Sequence, residues 1–480
     1  MNKDMISHLP EDLIRKILSF LPTKTAIATS LLSKQWRSHW MSAPKLRFDS
    51  EDYENEHDEN FSKIVSESFL SHKAPVLESF HLRFGLDKVD PIDVGFWIGI
   101  AFARQLRKLV LDFLELQGSF IFPSSLCTCK TLETLKLRNQ ILLDISSPAS
   151  MKSLKKLHLS YVFYKDDETI NNLLSGCPSL EELIVDRSDE HTVEFFTINV
   201  PSLLRLTIYD DNSEKEFLGY LIEAPSLKYL EIDELRCKLF LLEAPELVEA
   251  NIYGVPAIIS SEFHVSLTSV KRLVLDVSPL KTIYPPIGDI FNQLVYLEMY
   301  TREALWWDLL RRMLEHSPKL QVLKLVDEYR INPDYRVCGR EWKKPKYVPK
   351  CLLSHLETFV WTRYDARREN EEEVATYILK NAKQLKSANF SANPIKPKEL
   401  KKLAERREMF RKLDGVVKAS TSCHLERSAL RAEFLNLYMY IIYEMCLELN
   451  SIKEVKAGPY IPTNVSHITL LNVVELRYFV

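Results

Sequence analysis

Glycine is scarce in this chain, eleven residues in 480. Neither GxGxxG nor GxxxxGKS/T occurs, so loops that cradle phosphates, and the nucleotide chemistry they serve, are not expected. Cysteine is too dispersed for a disulfide framework or a metal site. The eight stand at 127, 129, 177, 237, 338, 351, 423 and 446 without CxxC spacing, and they read as reduced, mostly buried thiols of an intracellular protein, in cytoplasm or nucleus. An excess of one charge is also missing. A formal net charge of -3 gives no general field for drawing in nucleic acid or an anionic membrane, so neither partner is expected. No secretory leader is expected either, because Asp4, His8, Glu11 and Asp12 interrupt the N-terminal apolar residues. The twelve histidines give no HExxH, HxxEH or finger spacing, and no GxSxG elbow occurs. Cys127 near Cys129 and Cys423 beside His424 are lone pairs, read as structural. No catalytic residue, metal or cofactor is expected, and the chain is not expected to be an enzyme.

What is present is apolar patterning. The residues are 46% hydrophobic and 27% charged, which suits a folded chain, and 480 residues suit a small module followed by an extended array better than one compact core. Pro10 fits the first position of a helix, with Glu11 and Asp12 where the helix dipole favours negative charge. Leu13, Ile14, Ile17, Leu18 and Leu21 then recur at three- and four-residue spacing until Pro22 stops the helix after about three turns. Thr23 and Ser33 are candidate N-caps for two further helices, Lys24 to Leu32 and Lys34 to Trp40. Three helices this short bury too little to stand alone. On its residues alone, their remaining apolar face either caps the following segment or waits for a partner.

The ordered run from Ile6-Ser7-His8-Leu9-Pro10-Glu11-Asp12-Leu13 through Leu18-Ser19-Phe20-Leu21-Pro22 to Gln35-Trp36-Arg37 resembles a plant F-box. The resemblance implies docking onto a Skp-type adaptor and, through it, a cullin. It also implies a contact and core set of Leu9, Pro10, Leu13, Ile17, Leu18, Leu21, Pro22, Leu31 and Trp36, which the sequence does not divide. The acidic run over 49–60 reads as a linker after an F-box module at 1–48.

Beyond Phe61 the chain repeats itself. Leu106-x-x-Leu109-x-Leu111 recurs from Leu132, Leu154, Leu180, Leu203, Leu227, Leu247, Val270, Leu294 and Leu320 at intervals of 20 to 26 residues, the period of leucine-rich repeats. Leu77-x-x-Phe80-x-Leu82 reads as the first. Alternation points both leucines of the L-x-L part inward, and each repeat buries them against its neighbours. The expected class is therefore α/β: a three-helix module, then a horseshoe-like solenoid with a parallel sheet on its concave face over 61–346. Helical pieces such as Ile170, Leu173, Leu174 and Leu310, Met313, Leu314 are expected on its convex side.

Val348-Pro349-Lys350-Cys351-Leu352, Leu356-Glu357-Thr358-Phe359-Val360-Trp361 and Ser420-Thr421-Ser422-Cys423-His424-Leu425 resemble the FBD domain of many plant F-box proteins, placed here at 347–425. Ala375, Ile378, Leu379, Leu385, Ala388 and Phe390 repeat the spacing of Leu310 to Leu325, so this segment is expected to continue the solenoid. Pro397 to Leu413 would be its last helix and Val416 to Leu425 its edge strand. The Lys and Arg residues of that helix alternate with Glu399, Glu405 and Glu408 and read as a solvated face. The tail over 426–480 lies outside the pattern, and its run Phe434 to Leu449 is too short and too charged for a membrane span. A packed or partner-binding helix is the expectation.

Taking the residue between each inward pair gives Val110, Lys136, His158, Ile184, Thr207, Glu231, Asn251, Val274, Glu298 and Lys324 on the concave face. Such a mixed surface suits a protein target, whose identity it leaves open. The resemblance thus implies a substrate-recognition subunit of an SCF-type cullin ubiquitin ligase. The other reading is a repeat scaffold that binds partners without delivering ubiquitin.

Overall fold

A computed structural model describes residues 10–32, 36–53, 61–85, 89–114, 118–187, 193–210, 217–233, 235, 237, 239–255, 266–277, 291–301, 306–327, 342–364, 370–392, 400–416 and 418–429. Leu9, Ser33, most of the acidic run, and the expected helix from Phe434 lie outside them. No helix among the described residues is long and apolar enough to cross a membrane.

The N-terminal module holds helices α1 (Glu11–Leu18), α2 (Thr23–Ala28) and α3 (Trp36–His39), the last two each continued by a 3-10 turn. Pro10 caps α1 from just outside, its carbonyl accepting from the N–H groups of Leu13 and Ile14 at 2.9 and 3.1 Å. The helix is shorter than expected. It closes before Ser19, whose N–H still reaches the Arg15 carbonyl at 3.0 Å, so Leu21 lies beyond it. Pro22, not Thr23, occupies the cap of α2. The freed Thr23 hydroxyl turns inward and accepts from the Arg47 N–H at 2.8 Å, tying the module to the first strand of the next region.

That strand, Lys45–Asp49, opens a fifteen-stranded sheet. The first repeat was expected at Leu77, yet Leu46 and Phe48 already form an inward pair and align with Phe80 and Leu82. The sheet therefore starts inside the stretch assigned to the F-box and the linker. Its pairing is parallel from Lys45–Asp49 to Ser387–Ala392. The strand Thr358–Thr362 pairs in register with Val322–Val326, with no break near residue 350. The FBD-like segment thus continues the solenoid. Its last strand is His424–Ala429, starting later than expected, and the preceding helix is Leu400–Asp414.

The inward leucines make one continuous core, from Leu46 to Leu413. The elements covering it change along the solenoid. Intervals of 26 residues, Leu154 to Leu180 and Leu294 to Leu320, hold the helices Asp167–Ser175 and Trp306–His316. A third interval of 26 residues, Leu106 to Leu132, instead holds the strand Phe120–Phe122 and a 3-10 turn, and the shorter intervals between Leu180 and Leu247 hold no helix among their described residues. There the covering elements are strands, Phe195–Asn199, Gly219–Glu223 and Leu239–Glu243, in a second parallel sheet. A third small sheet joins Phe120–Phe122, Ile141–Leu143 and Phe163–Tyr164. Helical pieces were expected on this side where the spacing allows them, and covering strands were not foreseen.

In the second sheet a side chain at Gly219 would run into the Leu239 carbonyl, and its φ is +153°. We expect Gly219→Ala to lower stability by about 2 kcal/mol or more through backbone displacement, read as a drop in the urea midpoint. An unchanged midpoint would show that this sheet yields easily.

Candidate functional site

The apolar residues of α1 form two adjacent stripes. Ile14 and Leu18 point inward and, with Ala26, Trp36 and Trp40, make the module's own core, against which Leu21, Ile27 and Met41 pack. Leu13 and Ile17 point out, at 48% and 45% exposure, and Phe20 continues their stripe at 68%. Leu31 and Leu32, at 88% and 68%, stand in the 3-10 turn and the residue after it. Buried polar pairing pins the other side of the module: His72 donates from Nε2 to the Ala43 carbonyl at 2.7 Å and accepts at Nδ1 from Arg104 at 2.9 Å. Lys24 Nζ donates to the Asp52 carbonyl at 2.6 Å.

The nine residues implied by the resemblance are thereby sorted. Leu13, Ile17 and Leu31 are surface, with Pro10 exposed beside them, while Leu21 and Pro22 are half-buried. Leu18 and Trp36 are fully inside and can only support that surface from beneath. Leu9 is outside the described residues. Phe20 and Leu32 belong to the exposed set and were not singled out. The i, i+4, i+7 spacing of Leu13, Ile17 and Phe20 carries the signal, but Ile14, Leu18 and Leu21 carry the same one, and sequence does not say which stripe faces in.

On the long sheet, register places Lys136, His158, Ile184, Thr207, Glu231 and Asn251 in one row across successive strands. Glu298 and Lys324 continue the row beyond Val274. Val110 and Val274 share it but are covered by their longer neighbours. Glu298 is nearly covered too, at 7% exposure, accepting from Tyr296 Oη at 2.7 Å and Lys324 Nζ at 3.0 Å. Around Glu231 a tyrosine cluster forms: Tyr209 donates to it at 3.1 Å, Tyr229 donates to its other oxygen, and Asn251 Nδ2 reaches Tyr229 Oη at 3.1 Å. The Arg205 and Arg272 guanidinium groups lie 3.9 and 3.7 Å from the ring centres of Tyr229 and Tyr296.

Nearer the N-terminus the row is cationic. Burial, then Lys136 and Arg138, push His158 down to about 4, and burial with Arg47, Arg138, Lys108 and Arg83 pushes His81 down to about 3. Both are neutral at pH 7. An unfolded chain takes up protons on these histidines near pH 6.5, the folded one only near 3 to 4. Their contribution to stability is therefore complete above about pH 6.5 and is lost as pH falls through that window. Asp112 and Asp186, raised by burial, act in the opposite direction at lower pH. We expect His81→Gln with His158→Gln to flatten the fall of the urea midpoint between pH 6.5 and 4.5; the same slope in both proteins would contradict the assignment.

No group of three or more His, Cys, Asp or Glu among the described residues is arranged to hold a metal. The described cysteines are free, and burial pushes the thiols of Cys127, Cys177 and Cys351 up to about 11, 12 and 12. These are protonated core thiols, poor nucleophiles at neutral pH.

Comparison with known proteins finds a match for the N-terminal module, for part of the repeats and for the segment that follows them. The family model of the F-box domain matches residues 6–48, that of the FBD matches 344–390, and one for the LRR repeats of the FBD-associated F-box protein At5g56370 matches 94–248. The chain is 61% identical to the F-box/FBD/LRR-repeat protein At4g00160 of Arabidopsis thaliana over 426 residues, 88% of this chain and 94% of that one. It is 60% identical to the F-box/FBD/LRR-repeat protein At3g52680 of the same plant, over 88% of this chain and 93% of its relative. The FBD-associated F-box protein At3g52670, also of Arabidopsis thaliana, is 54% identical over 88% and 97%. With relatives this similar along nearly their whole length, and with the F-box, repeats and FBD in one order, the chain belongs to the F-box/FBD/LRR-repeat proteins.

Proposed function

We infer that this chain is the substrate-recognition subunit of an SCF-type cullin ubiquitin ligase, acting in the cytoplasm or nucleus. The observation that carries the reading is the bare stripe of Leu13, Ile17, Phe20, Leu31 and Leu32 on a module whose other apolar face is already filled. An exposed apolar cluster on so small a module marks a protein contact. Because the module matches the F-box pattern, the Skp-type adaptor is the partner assigned to it, with Pro10, Leu21 and Pro22 at the margin and Leu9 preceding them. Lys136, His158, Ile184, Thr207, Glu231, Asn251 and Lys324 offer side chains to a protein target on the outward face of the sheet. Glu298 holds its neighbours in place.

The chain's part in catalysis is proximity. Holding a target lysine beside a charged thioester carried elsewhere in the assembly makes a bimolecular step effectively unimolecular. The sheet suits this work because one core runs from Leu46 to Leu413 and the Arg47 N–H to Thr23 hydrogen bond ties the module to its first strand. The test is co-expression with a Skp-type adaptor and a cullin, followed by a ubiquitin-transfer assay on captured proteins. Association with the adaptor and ubiquitination dependent on the sheet are expected. A chain that binds targets but never the adaptor would be a scaffold instead.

A further inference from the structure

The outward positions of the long sheet are segregated by charge along its length. Every strand presents three such residues, those flanking and separating its inward pair. The five strands from Lys45–Asp49 to Lys156–Ser160 place seven Lys and Arg residues there against Asp49 and Asp112. The next six, Glu182–Arg187 to Tyr296–Tyr300, reverse the balance, with seven carboxylates against Arg205 and Arg272. A near-neutral composition hides this completely.

Part of the cationic zone is paired from within, Arg83 with Asp49 and Glu51 and Lys156 with Glu182, and like charges crowd the rest. Lys136, Arg138 and His158 are half-buried and adjoin one another across paired strands. Burial and the cations Lys108, Arg138 and Lys156 hold the Lys136 ammonium below its usual value, with Glu182 acting against them. Like charges held together on a rigid sheet weaken the fold, and a binding face is where such a cost persists. In the acidic zone the carboxylates are instead combined with tyrosine hydroxyls and rings, a surface able to stack on and pair with Lys or Arg side chains.

We propose that this face binds an extended peptide segment of opposite polarity, its anionic half across the Lys108, Lys136 and Arg138 zone and its basic half across the Tyr209, Tyr229 and Glu231 zone. This rests on the target-binding role given to the sheet under the proposed function. Strands ~4.8 Å apart make the first zone about 19 Å wide, and the eleven strands together about 48 Å. An extended chain at ~3.3 Å per residue covers these with about six and about fourteen residues. A nucleic acid fits less well, because its continuous negative charge would meet seven carboxylates beyond the first zone. The anionic half draws on carboxylate or phosphate groups, which share this chemistry.

The test uses the full chain purified with its adaptor and fluorescein-labelled 14-residue peptides, read by anisotropy at two salt concentrations. One peptide carries six Glu and Asp residues and then a Lys- and Arg-rich half, a second has phosphoserines in the first half, and a third is basic throughout. A single-stranded RNA of equal length is the fourth probe. At least one bipolar peptide should bind tenfold or more tightly than the basic peptide and the RNA, and weaken with salt. The tighter of the first two identifies carboxylate or phosphate as the source. Lys108→Glu with Lys136→Glu and Arg138→Glu should cut that affinity at least tenfold while adaptor co-purification is unchanged. Lys136→Met with Arg138→Met should weaken it about fivefold with an equal or higher melting temperature, which excludes misfolding as the cause. Equal binding of the basic peptide, tighter binding of the RNA, absence of binding, an affinity insensitive to the charge reversal, or a lowered melting temperature in the Met variant would each overturn the proposal. Loss of the adaptor from the unsubstituted chain would instead count against the ligase reading.

Discussion

Ile17→Asp combined with Leu31→Asp is expected to abolish binding of a Skp-type adaptor while the melting temperature stays within a degree or two. Both side chains stand in solvent, so a polar replacement costs the fold itself ~0.5 kcal/mol or less. In a complex the same carboxylates would be buried without partners. Central apolar anchors are worth ~2 to 4 kcal/mol each on truncation, about 30- to 1,000-fold in affinity, and a buried charge adds to that loss. The effect is read by co-purification or by titration of labelled adaptor. The choice of residues matters. Leu18→Asp would also abolish adaptor binding, but Leu18 lies against Ile14, Trp36 and Trp40, and a charge there unfolds the module, so the loss would not report on the contact. Adaptor binding that survived the Ile17 and Leu31 pair would remove the apolar stripe from the proposed interface.

Arg187→Met lowers stability by ~3 to 5 kcal/mol, the range found when one member of a buried ion pair is removed. The Arg187 side chain has no exposure at all, and its guanidinium lies 3.7 Å from Asp210 Oδ2. It sits 4.0 Å from the ring centre of Phe217 and 5.3 Å from that of Phe196. Tyr220 donates its hydroxyl to the same Asp210 oxygen. Removing Arg187 leaves that carboxylate in an aromatic enclosure with its counter-charge gone. The expected result is a large fall in the urea midpoint for Arg187→Met, a similar fall for Asp210→Leu, and recovery of most of the loss in the double variant. Additive single effects would mean that the two residues act separately, through packing alone. Arg187 and Asp210 face each other on adjacent strands of the long sheet, and Tyr220 links them to the covering strands, so their loss should loosen the middle of the long sheet first.

The legible parts of the molecule are those governed by local periodicity. Leu109 with Leu111, Leu135 with Leu137, and their successors are inward in the sheet as alternation requires, because a strand has only two faces and one must be dry. The continuation into the FBD segment was readable for the same reason: Ala388 and Phe390 stand in the register of Phe359 and Trp361. Less legible were the covering strands such as Gly219–Glu223, because the strands that pair with them lie in neighbouring repeats, distant in the chain. The Lys45–Asp49 strand escaped notice because its Leu46 and Phe48 pair lies within a stretch already claimed by another pattern.

Sequence alone determined that this is a repeat protein with an apolar helical module in front, since both rest on spacing along the chain. Tertiary packing decided which half of that module is surface, because Leu13 and Ile14 obey the same helical period and only the neighbours Trp36 and Trp40 choose between them. It also decided the polarity of the sheet's outward face. Charges such as Lys136 and Lys108, or Glu231 and Glu249, are 28 and 18 residues apart in the chain and become neighbours only through strand register, and their field depends on distance through space.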